Sequence, residues 1–389
     1  MKLPSPVPVL MFHSVTNSHI PEYKHLSTPL GRFEEVLRYL TYHGFKTLTL
    51  YELYDFLANG QSVPEKSVVL TFDDGYLDNW VNAFPFLKKY NMKATIFIPP
   101  EFINPEDVMR PTLGDVWGRR ASESELCSRG YLSWNELQAM HQSGLIDIQS
   151  HTMTHTMLFQ GSDIVDFYGP DSYYPWMQWN KYPERKYRWL DEGATQAVEI
   201  GTPIYQYGRA LAGRQFFPNR ELVADVIAYV NASRNRLSDP QWREKMHQSL
   251  RDIRKHHKEE GRYETDQEYV QRLKFEIEGS KRILSERLRK SIDFLCWPGG
   301  AFTPIAEALA YESGYLATTK GERKNGRGAD PRKIHRISGN FHLSWLHPTL
   351  DKYCRTLYLA LALRAYREEV MATALTKAVS KCRRLLRAR

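Results

Sequence analysis

The chain has 389 residues, of which 42% are hydrophobic and 25% are charged, and its formal net charge is +8 at pH 7. These values predict a soluble globular protein with a large core, organised as one enlarged domain or as a domain with an insertion. They argue against a membrane-spanning protein, because no stretch reaches the roughly 20 apolar residues that cross a bilayer. The basic charge comes without a nucleic-acid-binding motif, so no nucleic-acid partner is expected.

Cysteine usage and the first residues of the chain bear on its location. The cysteines lie at scattered positions without metal-type spacing, and we expect them to be reduced thiols. They are Cys127, Cys296, Cys354 and Cys382. Residues 1–10 hold several prolines and no apolar core of signal-peptide length. The sequence therefore predicts a cytoplasmic protein.

The first predicted strand, residues 7–12, is followed directly by His13. A histidine in this place can simply cap the strand end by hydrogen bonding. Thr28 and Pro29 then have the order of an N-cap and a first helical residue, which predicts a helix that ends at Gly44.

The central predicted strand, residues 67–72, is short, rich in β-branched residues and apolar on both faces. These properties are typical of a strand buried in a parallel sheet that helices cover. Asp73 and Asp74 follow at its carboxyl end, where α/β folds bind ligands, and Gly75 permits a sharp turn. On its own, an Asp-Asp-Gly sequence is most often only a turn.

Strands and helices continue to alternate after this turn. Residues 80–90 predict a helix, residues 94–98 a strand, and residues 99–129 an irregular surface segment. The spacing of a capping box, which predicts the start of a helix, occurs three times in the chain: Thr49 with Glu52, Ser133 with Glu136, and Thr265 with Glu268. Repeated strand-then-helix units of this kind favour an α/β barrel.

The next predicted strand, residues 146–150, ends in two histidines, His151 and His155, at i, i+4 spacing. Two neutral imidazoles and a carboxylate form a three-ligand set that leaves an open position on a divalent metal, as in catalytic zinc sites. A pair of histidines alone is more often solvated or part of a core. The combination with Asp73 and Asp74 is more specific than either motif.

Residues 71–75 together with residues 150–155 resemble the first two motifs of the polysaccharide deacetylase family (carbohydrate esterase family four, NodB-homology type). The resemblance extends over residues 7–157 and 266–340. It implies a distorted (β/α)7 TIM-like barrel, here with a large, partly helical insertion. It also implies hydrolysis of an N-acetyl group, and sometimes of an O-acetyl group, on a sugar.

The resemblance implies roles for the two motifs. Asp73 corresponds to the general base, and Asp74, His151 and His155 correspond to the ligands of one divalent metal ion. Zinc is the expected ion, with cobalt, nickel, manganese and iron as alternatives.

The resemblance assigns the remaining steps to residues elsewhere. In one branch of the family the histidine after the opening strand is the catalytic acid, which is His13 here, with His335 and His342 as substitutes. An oxyanion-binding backbone N–H corresponds to Gly299, which stands where the family commonly has tyrosine. Tyr76 and Trp297 are also expected to contact the substrate, and Arg336, which matches the arginine of the family's final strand, is expected to hold the substrate or to buffer a carboxylate.

Residues 158–265 depart from the family and are predicted to be an insertion with its own structure. Its aromatic stretch, residues 173–189, suits stacking on sugars, holding a lipid, or a small satellite core. Residues 221–230 and 239–261 predict two helices, of which the second is largely charged and expected to face solvent.

The barrel is predicted to resume with a helix over residues 266–290 and a strand over residues 292–297. Residues 304–314 predict a helix, and residues 315–318 predict a strand. Residues 334–337 match the arginine-containing final strand of the family. The sequence thus divides into segments 1–157, 158–265, 266–345 and 346–389.

The last segment, residues 346–389, is predicted to be a basic amphipathic helix. Residues 357–363 are apolar, and lysines and arginines cluster in residues 377–389. Such a helix could lie on an anionic membrane surface, which suggests a lipid-linked saccharide as substrate. The alternative is a helix that docks its apolar side on the barrel.

Three other functions share parts of this sequence pattern. An O-acetyl esterase acting on a glycan would use the same residues. A non-catalytic sugar-binding relative would have no need of a base beside a metal. A glycosidase with two carboxylates is disfavoured, because adjacent aspartates do not readily flank one sugar bond at a separation of about 5–9 Å.

Overall fold

The computed structural model describes residues 5–18, 25–192, 198–232, 237–321, 324–339 and 348–367. Its strands, numbered along the chain, are β1 Val9–Phe12, β2 Ser14–Val15, β3 Ser27–Thr28, β4 Lys46–Thr47, β5 Ser67–Phe72, β6 Ala94–Ile98, β7 Ile146–Ser150, β8 Met157–Phe167, β9 Pro203–Arg209, β10 Phe216–Pro218, β11 Gly261–Tyr263, β12 Phe294–Leu295, β13 Ala317–Thr318 and β14 Ile337–Ser338.

The α-helices, numbered in the same way, are α1 Leu30–Tyr42, α2 Leu50–Ala58, α3 Phe84–Lys89, α4 Leu113–Trp117, α5 Trp134–Gln142, α6 Pro175–Lys181, α7 Trp189–Glu192, α8 Arg220–Ala232, α9 Trp242–Arg254, α10 Asp266–Lys274, α11 Ser280–Leu288, α12 Pro304–Glu312 and α13 Pro348–Tyr366. Asn79–Ala83 and Phe275–Gly279 are π-helical. Shorter 3₁₀ turns occupy Pro100–Phe102, Glu123–Glu125, Pro183–Arg188 and Pro298–Gly300.

The chain forms two compact units, and the first holds the described parts of Met1–Thr152, Lys281–Trp297 and Gly314–Arg389. Its sheet runs in the order β13-β12-β7-β6-β5-β1-β14, with β4 also paired to β5. Every pairing along this path is parallel. The result is a curled parallel sheet of the (β/α)7 barrel type, as the sequence predicted.

The central position of β5 explains its composition. All of its residues are buried, and it pairs with both β1 and β6. Val69 packs in a core cluster with Val9 and Phe97 from those two neighbouring strands. A strand covered on both faces has no polar side, so its apolar run ends only where Asp73 begins at the carboxyl edge.

The start of α1 differs from the prediction. Pro29 is the N-cap rather than the first helical residue, because its ψ of 142° is extended. Thr28 belongs to β3, where it pairs with Val15. The free N–H of Leu30 is instead satisfied by the side-chain oxygen of Asn17, at 3.0 Å. The predicted threonine cap was wrong because a cap from a distant residue replaces it.

Local helix starts were predicted correctly elsewhere. Three capping boxes, in which the cap side chain binds the N3 backbone and the N3 glutamate binds the cap backbone, begin α2, α5 and α10. Their residue pairs are Thr49 and Glu52, Ser133 and Glu136, and Thr265 and Glu268.

The second unit comprises Met153–Ser280 and Pro298–Ser313. It therefore holds the segment predicted as an insertion and extends beyond its predicted end. Two antiparallel strand pairs, β8 with β9 and β10 with β11, are its sheets. Its core joins these strands to α8 and α9.

Helix α9 is not solvent-facing all round, contrary to the prediction. Trp242, Met246 and Leu250 are buried and pack against Leu222 and Val226 of α8. Their i, i+4, i+8 spacing places them on one stripe of an otherwise charged helix, which is enough to bury one face.

The aromatic stretch is mainly a satellite core. Trp176 is buried and its ring lies 5.2 Å from that of Phe159 and 5.3 Å from that of Tyr207. Tyr173 in the same stretch is 58% exposed, so part of this surface is accessible.

Within the described ranges, none of the helices combines the length and apolar character needed to cross a membrane.

Candidate active site at the strand ends

Asp73 lies buried at the carboxyl end of β5 and is held by Arg336, the residue before β14. The guanidinium Nη1 donates to Oδ1 at 2.7 Å and Nη2 donates to Oδ2 at 2.9 Å. Burial by itself raises the pKa of Asp73, but the positive charges of Arg336, His151 and His13 outweigh it and lower the pKa below its usual value. The carboxylate is therefore ionised at neutral pH.

His13 lies next to this carboxylate, as its position after β1 suggested. Its Nε2 is 3.8 Å from Asp73 Oδ2, close but beyond hydrogen-bond length. The backbone oxygen of His13 accepts a hydrogen bond from the Asn79 side chain at 2.8 Å. The imidazole, 19% exposed, thus lies between the buried carboxylate and solvent.

Asp74 faces His151, with 3.2 Å between its Oδ1 and the histidine Nε2. The other ring nitrogen, Nδ1, lies 2.8 Å from the backbone oxygen of Cys296. Because a carbonyl oxygen can only accept, Nδ1 carries a proton, and Nε2 faces Asp74 with either a second proton or a bound cation between them. Two electron-pair donors at this distance require a positive charge between them.

The pKa of His151 points the same way. Burial opposes its protonation, yet the neighbouring Cys296 and the carboxylates of Asp74 and Asp73 raise its pKa well above the ordinary value. The pocket therefore stabilises a positive charge. Asp74 and His151 each present one ligand atom here, and His155 follows His151 by four residues in the chain. Two imidazoles and one carboxylate fit a divalent cation such as zinc.

Cys296 is a site residue that the sequence reasoning missed. Its thiol lies 3.6 Å from Asp73 Oδ2 and 3.0 Å from Arg336 Nη2. Asp73, His151 and Cys296 also form a group that could hold a metal ion. The Arg336 guanidinium already supplies positive charge to Asp73 and Cys296, so a cation is better placed on the Asp74 side.

The remaining predicted site residues have the following surroundings in the structure. Tyr76 is buried and stacks on Tyr131 at 5.5 Å. Trp297 is buried, and its backbone N–H donates to Thr319 Oγ1 at 3.3 Å. Gly299, in the second unit, has a φ of 59°, a conformation that favours glycine.

The two substitute acids are placed differently. His335 is held by Asn325, which accepts its backbone N–H at 2.8 Å, and its Nδ1 lies 3.2 Å from the Tyr366 hydroxyl. His342 lies outside the described residues.

Residues 60–196 match the family model described as polysaccharide deacetylase. The YxkH protein of Bacillus subtilis is 34% identical over 155 residues, which are 40% of this chain and 45% of that protein. The poly-beta-1,6-N-acetyl-D-glucosamine N-deacetylase of Staphylococcus aureus is 31% identical over 131 residues, 34% of this chain and 39% of the enzyme. The matched region thus spans less than half of each of these relatives.

A solved structure supports the fold. The deacetylase domain of BpsB from Bordetella bronchiseptica superposes with a TM-score of 0.52 at 18% identity, covering 86% of this chain and 96% of that domain. This similarity shows the fold alone, and residues 60–196 are similar in sequence to the polysaccharide deacetylase family.

Proposed function

We propose that the chain is a metal-dependent hydrolase that removes an N-acetyl group from an acetylated amino sugar in a glycan or a lipid-linked saccharide. The observation that carries the proposal is the ionised Asp73 carboxylate beside the Asp74 and His151 pair. A base next to a cation-binding donor set is what hydrolysis of an unreactive amide requires. A protein that only binds sugar needs neither.

Asp74, His151 and His155 would hold the cation, with zinc as the expected ion. When bound, the cation would supply Lewis acidity toward the acetyl oxygen and make water more acidic. Asp73 would accept a proton from the attacking water. His13, at 3.8 Å from Asp73 Oδ2, would donate a proton to the leaving amine.

The oxyanion contact is assigned to the backbone N–H of Gly299. Backbone donors aimed at a developing negative charge stabilise the transition state without needing a side chain. Glycine tolerates the positive φ of Gly299, so the backbone N–H is present at this turn although the tyrosine side chain of the family is absent. Arg336 serves in this scheme to hold Asp73 rather than the substrate.

The curated relatives suggest the first substrate to test. The enzymes of Staphylococcus aureus and Escherichia coli are named for poly-beta-1,6-N-acetyl-D-glucosamine. We therefore propose oligomers of this polymer as the starting panel. An O-acetylated glycan in the same panel would distinguish an amide hydrolase from an esterase.

The test uses purified full-length protein. We expect one divalent ion per chain by elemental analysis, acetate release from the oligomers, and loss of both after chelation. Asp74→Ala and His151→Ala should each lose the ion. Wild-type protein that binds no divalent ion and yet releases acetate after chelation would disprove the metal-dependent mechanism.

Location is a separate proposal that rests on the sequence alone. We propose a cytoplasmic protein that contacts the inner membrane face through residues 377–389, which lie outside the described residues. Each basic residue near anionic lipid contributes about 1 kcal/mol, so binding should weaken with salt. Sedimentation with anionic vesicles at low and high salt, with and without this segment, tests the proposal. Protein that stays in the supernatant at low salt would reject it.

A further inference from the structure

The loop that carries both histidines, residues 151–155, is held in an uncommon conformation; we refer to it as the histidine loop. Thr152 has a φ of 61° and His155 a φ of 45°. For residues other than glycine this left-handed conformation is strained, and it persists only where the surroundings hold it. The contacts of the loop therefore determine where His155 points.

Glu276 provides the first of these contacts. Its side chain is buried, and its Oε2 accepts the backbone N–H of Met153 at 3.1 Å and of Thr154 at 3.0 Å. Its Oε1 accepts the hydroxyl of Thr154. One carboxylate thus accepts three hydrogen bonds from two consecutive residues of the histidine loop.

Lys186 provides the second contact. It is also buried, and its Nζ donates to the backbone oxygen of Thr154 at 2.9 Å. The N–H, the C=O and the hydroxyl of Thr154 are therefore all bound by two buried side chains of opposite charge. Charged groups are seldom buried without such partners, so these contacts are strong constraints on the loop.

The helix that carries Glu276 has two local features that let it lie close to the histidine loop. Glu276 lies in the π-helix Phe275–Gly279, an irregularity that is common at functional sites. A Cβ added to Gly279 would come within 3.0 Å of Met153 Cε, so glycine lets the helix lie close to the loop.

We propose that Glu276 and Lys186 are positioning residues, which hold the histidine loop so that His155 is already oriented as a ligand before a cation binds. This inference rests on the proposed metal-dependent function. A preorganised ligand loses less conformational freedom on binding, so the affinity for the cation rises. Since Lys186 belongs to the segment 158–265, that segment contributes directly to the histidine loop.

The test uses the full-length chain with Glu276→Ala, Glu276→Gln and Lys186→Met. The dissociation constant for Zn²⁺ is measured by competition with a chromophoric chelator. We expect Glu276→Ala and Lys186→Met to weaken Zn²⁺ binding about 10–100-fold, as partners of metal ligands commonly do. Glu276→Gln should recover most of the affinity, because its amide oxygen accepts both N–H groups and its NH₂ can donate to the Thr154 hydroxyl.

A second readout needs no metal. In the metal-free protein, amide exchange at Met153 and Thr154 should be at least tenfold faster in Glu276→Ala than in the wild type, with Glu276→Gln between the two. A change in exchange would show that the carboxylate orders the loop and does not merely add charge to the pocket.

Asp166→Asn is the matched control. Asp166 lies in the same unit and accepts the N–H of Phe167 at 2.8 Å and the hydroxyl of Tyr174 at 2.7 Å. It also pairs with Arg243 at 2.9 Å. Its substitution should lower stability while leaving Zn²⁺ affinity and loop exchange unchanged.

The outcomes separate this inference from the proposed function. If the folded variants bind Zn²⁺ within twofold of the wild type and show unchanged loop exchange, the positioning role is wrong. If the wild type binds no divalent ion, the proposed function fails, and the exchange rates still decide whether Glu276 holds the loop. If Glu276→Ala does not fold, Lys186→Met and Thr154→Val are compared with the wild type by the same two measurements. Thr154→Val replaces only the hydroxyl, by a methyl group.

Discussion

Arg336 binds both carboxylate oxygens of Asp73, at 2.7 Å and 2.9 Å. The two parallel hydrogen bonds fix the plane of the carboxylate and supply the charge that keeps it ionised despite burial. They also connect β14, next to which Arg336 lies, to the end of β5 across β1. The candidate base is thus oriented by a residue that lies 263 positions away in the chain.

Replacing Asp73 should separate catalysis from metal binding. Asp73→Asn keeps the shape of the side chain but removes the group that accepts the proton. We expect acetate release to fall about 10²–10⁴-fold, the usual contribution of a general base. Elemental analysis should find the same metal content as in the wild type. A variant that retains more than a tenth of the activity would exclude Asp73 as the base.

Replacing His13 should alter the pH profile. If His13 donates the proton to the leaving amine, His13→Ala removes the decline in kcat on the basic side and leaves the metal content unchanged. The measurement is kcat between pH 5 and pH 10 for both proteins, with elemental analysis as control. An unaltered profile would transfer the role of the acid to His335 or His342.

Asp78 should make stability depend on pH. This buried carboxyl accepts hydrogen bonds from the Ser14 hydroxyl, from the Val15 N–H at 3.0 Å and from the Asn79 amide at 2.9 Å. Burial outweighs these bonds and raises its pKa from 3.8 to about 7. Between these values the folded protein holds a proton that the unfolded chain has released. Its contribution to stability is therefore complete below about pH 4 and is lost as the pH rises through 7.

Asp78→Asn should remove this dependence, since the amide is neutral at every pH. We expect the free energy of unfolding of the wild type, relative to the variant, to decrease by about 3 kcal/mol between pH 5 and pH 8. Urea unfolding at both pH values and constant ionic strength measures the difference. Parallel pH dependence in the two proteins would mean that Asp78 titrates normally.

Gly75→Ala should destabilise the chain more than Gly44→Ala. The two glycines have similar φ values, 70° and 72°. A Cβ at Gly75 would meet Ile98 Cδ1 at 2.8 Å, whereas nothing lies within 4 Å of one at Gly44. Both variants bear the left-handed penalty of about 1–2 kcal/mol, and only Gly75→Ala adds a clash. Equal losses in urea unfolding would show that the loop after β5 relaxes freely.

The fold could be predicted from the sequence where local pattern decides it. The apolar run of β5 and the polar residues that follow it placed Asp73 and Asp74 at the edge of the sheet. The capping boxes fixed three helix starts, because both partners lie within one turn. The apolar stripe on α9, Trp242, Met246 and Leu250, could also have been predicted from its spacing, but the many charged residues around it led to the prediction of a solvent-facing helix.

Other features depended on residues far apart in the chain. The cap of α1 comes from Asn17, which no local rule connects to Leu30. Cys296 lacked any spacing signal, and only the sheet order brings its thiol next to Asp73. Glu276 and Lys186 lie in helical segments that carry no recognisable motif. Their positioning role can be inferred only from their contacts with the histidine loop, which is distant in the chain.

The π-helix Phe275–Gly279 joins α10 and α11 into one helical run with one residue more than an α-helix would use over that turn. Deleting a single residue there would restore a regular helix and rotate everything on one side by about 100°. Tyr269 and Leu273 before the π-helix and Leu284 and Leu288 after it are buried, so the deletion would turn one of these pairs away from the residues that it packs against. A deletion in this segment would therefore be more disruptive than a substitution. We expect natural variation between residues 266 and 288 to favour substitutions over deletions.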